Sequence, residues 1–219
     1  MTVSVTMIQH MRAELALHQL REGDGRPLLM LHGLGERTPG SVPLYADRWP
    51  GPIFGLDFTG HGASTVPVGG GYTAEALMSD TDAALDHIGE ATVVGRGLGA
   101  YVALQIAGAR PMLVKGAVLA DGPGLFGGAS GPTTPFVLAP SGLEAGTSPD
   151  PFALMELSRD IRPTDYAMSF LRQAVQLSDL QVPVTIAAVG RPDWLAAVAS
   201  DPSIVFTPLE SALENYASI

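Results

Sequence analysis

A three-layer α/β/α sandwich around a mostly parallel sheet is the fold class this sequence predicts, and three observations carry it. Short apolar runs of strand length alternate with segments of helical periodicity. Most of the runs are apolar throughout, as strands covered on both faces are. Glycine and proline, 26 and 18 of the 219 residues, gather between the segments and act as turn punctuation.

Taken in order, residues 2–9 and 14–21 alternate or run apolar over strand lengths. The turn Glu22-Gly23-Asp24-Gly25 leads into 27–31, which reads as a buried parallel strand. Further central strands are predicted at 53–56, 91–94, 117–120, 182–189 and 204–206, each followed by Gly, Asp or Pro. Between them Leu77, Thr81, Ala84, Leu85 and Ile88 form one helical face, with Asp80, Asp82 and Asp86 mostly off it and Gly89 suited to the helix end. A second helix over about 98–109 is apolar nearly all round, as a central helix against a sheet should be, and Pro111 stops it.

From about 122 to 181 the pattern changes. Gly127-Gly128 and Gly131-Pro132 mark a loop, and 151–157 and 163–177 read as two helices. About 60 residues with a loop-rich half bury too little to fold alone, so this segment is a short cap within one domain spanning 1–219. Its Phe136, Phe152, Met155, Met168 and Phe170 read first as core and second as pocket lining.

Composition narrows the function classes. Charged residues are 16% and hydrophobic residues 46%, which supplies a core and excludes a disordered chain. Twelve basic against twenty-two acidic residues give a net charge of −10, a sign that repels phosphate backbones and anionic membrane surfaces, so neither nucleic acid nor membrane is an expected partner. The absence of cysteine rules out disulfides, thiol nucleophiles and thiolate metal sites. No metal or other cofactor is expected. The first twenty residues lack a basic segment followed by an apolar one, so the cytoplasm is the expected location. Oligomeric state is not readable.

Three strand ends carry unusual Gly, His and Asp content, and ligands of open α/β sheets bind at the carboxyl ends of strands. They are Leu31-His32-Gly33-Leu34-Gly35, then Asp57-Phe58-Thr59-Gly60-His61-Gly62-Ala63-Ser64, then Val94-Gly95-Arg96-Gly97-Leu98-Gly99-Ala100. In order and spacing these stretches resemble the α/β-hydrolase family. There, an HG pair contributes an oxyanion-hole N–H, a D-x-x-G-H-G-x-S stretch follows the next strand, and G-x-S-x-G forms the nucleophile elbow. The resemblance extends to Val182-Pro183-Val184 leading into Gly190-Arg191-Pro192-Asp193, where Asp193 matches the acid of the triad.

Two departures decide what the resemblance implies. Gly97 stands at the nucleophile's position, and the five histidines, 10, 18, 32, 61 and 87, all precede Asp193. A Ser-His-Asp mechanism is therefore not expected, since hydroxyl and base act as a unit. Backbone donors survive side-chain change, so an oxyanion hole at the N–H groups of Leu34 and Leu98, beside Gly33, is expected to remain.

The reading that follows is a non-hydrolytic protein that binds a small, largely apolar carbonyl or carboxylate compound, with the Arg96 guanidinium near the pocket. A second reading is an esterase-like hydrolase or a lyase with an altered apparatus, in which His32, His61 or Asp121 activates water. A third takes Gly95-x-Gly97-x-x-Ala100 as a dinucleotide-binding turn, with Asp121 as its acid, although Asp121 follows at more than the ~20 residues that pattern uses. A protein partner on the cap face is a further possibility, to be recognised by a large exposed apolar patch. The plainer roles are structural: His32 and His61 as hydrogen-bonding turn residues, Asp57 and Asp121 as turn formers, Asp193 as a residue opening a helix.

Overall fold

A computed structural model describes residues 4–128 and 146–219. Strands β1 (Ser4–His10) and β2 (Ala13–Arg21) form an antiparallel hairpin. Then come β3 (Leu28–Leu31), a 3-10 turn (Leu44–Ala46), β4 (Ile53–Leu56), helix α1 (Ala74–Ile88), β5 (Ala91–Arg96), α2 (Leu98–Ala109) and β6 (Val114–Ala120). After the cap helices α3 (Pro151–Ser158) and α4 (Thr164–Leu177) the chain adds β7 (Val184–Ile186), α5 (Asp193–Ala199), β8 (Val205–Phe206) and α6 (Leu209–Ala217). The eight strands form one sheet in the order β1-β2-β4-β3-β5-β6-β7-β8. β2 meets β4 antiparallel, and every pairing from β4 to β8 is parallel.

The uniformly apolar strands have a direct cause. Leu29, Leu31, Val93, Ala117 and Leu119 point into one core, shared with α1, α2, α4 and α5. Their neighbours Leu28, Met30, Val94 and Val118 point into a second core with Trp49, Ala212, Leu213 and Tyr216. Successive side chains of a strand leave on opposite faces, so a strand with a core on each side needs apolar residues throughout. Local signals set the helix ends: Thr73 caps α1 by accepting from the Ala76 N–H, and Asp150 caps α3 by accepting from Phe152, with Pro151 opening the helix. The cap helix α4 approaches α2 at Gly108, where a β-carbon would lie 2.5 Å from the Phe170 carbonyl oxygen.

Three details differ from the sequence reading. Helix α6 was not anticipated, although Leu209, Ala212, Leu213 and Tyr216 have helical spacing after Pro208. Asp80 lies in the buried face of α1, where its carboxylate accepts from the Thr59 N–H (2.8 Å) and hydroxyl (3.0 Å). The seventh strand is shorter than 182–189, although the Ala187 and Ala188 amides still donate to Leu119. Within the cap, Phe152, Met168 and Phe170 pack against the core, while Gly131, Pro132 and Phe136 fall outside the described residues. No helix among the described residues is long and apolar enough to cross a membrane.

Candidate functional site

The three motifs meet at the carboxyl ends of β3, β4 and β5. Between β5 and α2 the chain reverses at Gly97, with φ 56° and ψ −117°, a strained strand-to-helix turn in a region that side chains resist. The turn is closed from above by the loop after β6. A β-carbon at position 97 would lie 2.0 Å from the Pro123 carbonyl oxygen and 2.5 Å from the Gly122 carbonyl carbon.

That loop also answers where the expected oxyanion donors point. The N–H groups of Leu34 and Leu98 do converge on a single oxygen, each at 2.9 Å, and it is the carbonyl oxygen of Pro123. The neighbouring Gly33 N–H donates to Glu36 at 2.9 Å. The expectation of an open hole is thus corrected: its donors are present and correctly aimed, but the chain's own backbone fills it. A proline flanked by Gly122 and Gly124, the latter at φ 76°, allows the loop to dip this far.

His32, His61 and Asp57 form a hydrogen-bonded web below the turn. His32 is buried; its Nε2 accepts from the Phe58 N–H (3.1 Å), so Nδ1 carries the proton and donates to the Gly33 carbonyl (2.8 Å). Burial, reinforced by the neighbouring His61, pushes its pKa down to about 4. His61 is fully buried, donates to the Thr59 carbonyl at 3.2 Å, and is likewise held neutral by burial. Burial would raise the pKa of Asp57, but hydrogen bonds from His18 (2.9 Å) and from the Thr38 and Ala63 amides (2.7 and 2.8 Å) outweigh it and hold the group at about 2. These residues brace the β4 loop; both ring nitrogens of His32 are in use, and His61 Nε2 is buried without a partner among the described residues.

The two later acids differ in their surroundings. Both Asp121 oxygens are occupied by backbone amides, Val189 at 2.6 Å and Gly190 at 2.9 Å, which ties the end of β6 to the end of β7. Asp193 is exposed and opens α5. Arg96 is half-exposed; its Nη2 stands 3.5 Å from Glu36 and its Nε donates to the Asp121 carbonyl at 3.4 Å. It lines a cleft of about 350 Å³ with Met30, Glu36, Arg37, Pro39 and Tyr45. Among the described residues no group of three or more His, Asp or Glu side chains is placed to hold a metal.

Sequence reasoning found the motifs but missed Pro123, whose part is played by a backbone atom that no motif encodes. It also missed Arg162, a cap residue that reaches back to the same loop by donating to the carbonyls of Gly124 (2.7 Å) and Leu125 (2.9 Å).

Comparison with known proteins agrees with the geometry. The thioesterase domain from the curacin biosynthetic pathway superposes with a TM-score of 0.68 at 13% identity, covering 100% of this chain and 97% of that domain. Est1E from Butyrivibrio proteoclasticus, solved with ferulic acid bound, gives 0.62 at 15% identity over 97% of this chain and 96% of that one. At such identities the likeness concerns the fold. The (E)-2-((N-methylformamido)methylene)succinate hydrolase of Acinetobacter baylyi is 26% identical over 114 residues, a match spanning 48% of this chain and 41% of that enzyme. The model of the alpha/beta hydrolase family matches residues 28–219, and with the elbow and sheet order described above this chain belongs to that family.

Proposed function

We propose that this chain is a non-hydrolytic member of its family that binds a small carboxylate in the cleft beside Arg96. The observation that carries the reading is the Pro123 carbonyl seated on the Leu34 and Leu98 amides, above a turn whose central residue is Gly97. A substrate carbonyl would need those same two donors, because preorganised N–H groups stabilise the charge that develops on its oxygen. With the donors occupied and no hydroxyl at position 97, neither attack nor stabilisation is available. The occupied Leu98 amide argues equally against a pyrophosphate on the first turn of α2.

The adjacent cleft has chemistry of its own. Arg96 and Arg37 flank it, Glu36 is its one acid, and Met30, Pro39 and Tyr45 give an apolar wall. Guanidinium groups beside apolar surface suit a carboxylate on a hydrocarbon body. The Acinetobacter relative is named for a substituted succinate, which belongs to that class.

Turnover of aryl esters of graded acyl length tests the first half of the reading, and thermal shift with a panel of small carboxylates tests the second. Wild-type rates should stay at background, and Gly97→Ser should neither hydrolyse esters nor react with a fluorophosphonate. At least one carboxylate of the panel should raise the melting temperature of the wild type and not that of Arg96→Met. Saturable turnover well above the ~10³-fold that binding and oxyanion donors alone provide, falling in His32→Ala, His61→Ala or Asp121→Asn, would overturn the proposal.

A further inference from the structure

We infer a second ligand site, separate from the Arg96 cleft, in which the guanidinium of Arg162 receives the carboxylate of a small organic acid with an apolar body. Arg162 is 2% exposed and lies beneath the cap, with its guanidinium 4.9 Å over the Tyr101 ring. Nη1 is satisfied by the Gly124 and Leu125 carbonyls. Nε and Nη2 have no hydrogen-bond partner among the described residues. Those two nitrogens form one edge of the guanidinium, the parallel pair of donors that meets both oxygens of a carboxylate. A buried cation with that edge unused is costly, and an anion that engages it recovers the cost.

The internal acid does not fill this role. Asp160 Oδ2 stands 3.9 Å from Nε, beyond hydrogen-bond reach, and Oδ2 itself lacks a partner among the described residues. Gly127 packs on the guanidinium: a β-carbon there, at φ 65°, would lie 2.6 Å from Arg162 Nε, 2.8 Å from Cζ and 2.9 Å from Cδ, that is, over its plane. Only glycine lets the backbone cover that plane without displacing the guanidinium, which keeps the donor edge where it is.

Arg162 borders a cavity of about 310 Å³ with Phe126, Gly127, Arg191, Asp193 and Trp194. That volume is at the small end of ligand sites, so it suits an acid the size of a benzoate or a short fatty acid. Arg191 is pinned by donating to the Ala188 and Gly190 carbonyls and lies over the Phe206 ring, which places a second cation in the lining against one carboxylate, Asp193. Trp194 is locked by its indole N–H on the Leu125 carbonyl at 3.0 Å, and Phe126, 62% exposed, stands at the cavity as an apolar surface for the ligand body. Inorganic phosphate would use the same fork without using the aromatic surface.

Isothermal titration of the full chain with benzoate, hexanoate, benzamide and inorganic phosphate tests the site. Benzoate and hexanoate should bind saturably, benzamide should not, and phosphate should bind at least roughly tenfold more weakly than benzoate. Arg162→Lys keeps the charge but loses the fork, and should weaken benzoate by roughly tenfold or more. Phe126→Ala, at an exposed position, should weaken it by about three- to tenfold while leaving the ligand-free melting temperature unchanged, and Arg191→Met, which also gives up the Ala188 and Gly190 hydrogen bonds, should weaken it by a similar factor in protein that circular dichroism shows to be folded. These two variants decide the matter should Arg162→Lys fail to fold. Arg96→Met should leave this affinity intact. Failure of both acids to bind, equal binding of benzamide or phosphate, or affinity that falls with Arg96→Met but not with Phe126→Ala and Arg191→Met would each overturn the site; the last would leave the Arg96 cleft as the acid's place.

Discussion

The turn region between β3 and β5 and the seam beneath the cap are both buried and both rich in polar groups, but those groups are treated differently. Below the turn, Asp57 collects two amides and His18, His32 uses both ring nitrogens, and Leu34 and Leu98 share one carbonyl oxygen. Beneath the cap, the Tyr101 hydroxyl, one Gln105 oxygen, one Asp160 oxygen and two Arg162 nitrogens are buried without partners among the described residues. Below the turn the unpartnered buried atoms among the described residues are His61 Nε2 and Thr38 Oγ1, each neutral, whereas those beneath the cap include a charged pair, and native interiors satisfy nearly all their buried polar groups, charged ones above all. The motif-bearing region is therefore the more fully braced one, and the unmet charge lies in the region without a motif.

The comparison is broken most directly at Asp57. Asp57→Ala leaves two amides and His18 without their acceptor, and should cost about 3–5 kcal/mol in urea unfolding followed by circular dichroism. A loss under about 1 kcal/mol would mean that the web is not what holds the β4 loop. Because its folded pKa is depressed from 3.8 to about 2, the Asp57 contribution is fully present above its unfolded pKa and fades as the pH falls between those values.

A smaller effect is expected at the elbow. Gly97→Ala and Gly97→Ser should each cost about 2–3 kcal/mol, because both place a β-carbon against the Pro123 loop and both force a side chain into positive φ. Equal losses in the two variants would show that space is the cause, whereas a serine much better tolerated than alanine would show that its hydroxyl finds a partner and the turn is less closed than described.

The smallest effect sharpens the contrast by pH. Burial raises the Asp80 pKa from 3.8 to about 6, so between those values the folded chain holds a proton that the unfolded chain has lost, and Asp80 costs stability as the pH rises. His32, depressed from 6.5 to about 4, works in the opposite sense over nearly the same window, since its stabilisation is lost as the pH falls. The readout is therefore the difference between proteins: relative to wild type, Asp80→Asn should gain about 2 kcal/mol on going from pH 4 to pH 6.5. A constant difference across that range would place the Asp80 pKa near its ordinary value.

Legibility in the sequence followed how local each signal was. The strands 53–56 and 117–120 were readable because double-sided burial writes itself as an unbroken apolar run, and α2 was readable for the same reason. The turn motifs at Gly33, Gly60-His61-Gly62 and Gly97 were readable because only glycine serves their backbone needs. Asp80 was placed outside its helix face because a carboxylate's burial depends on Thr59, a partner 21 residues away. Pro123 and Arg162 were beyond reach for a stronger version of that reason. One acts through a carbonyl every residue possesses, and the other through donors whose lack of an acceptor is a property of three-dimensional packing alone.

The Pro123 carbonyl has an evolutionary corollary. A side chain seated on the Leu34 and Leu98 amides could be removed by one codon, but here the acceptor is backbone, and no substitution at Pro123 deletes a carbonyl oxygen. A side chain at position 97 would have room only with the loop from Asp121 to Gly124 on another course. A serine at position 97 therefore asks for a new course of a neighbouring loop as well as a new codon, and the two stretches of sequence are tied to each other in any drift of this chain.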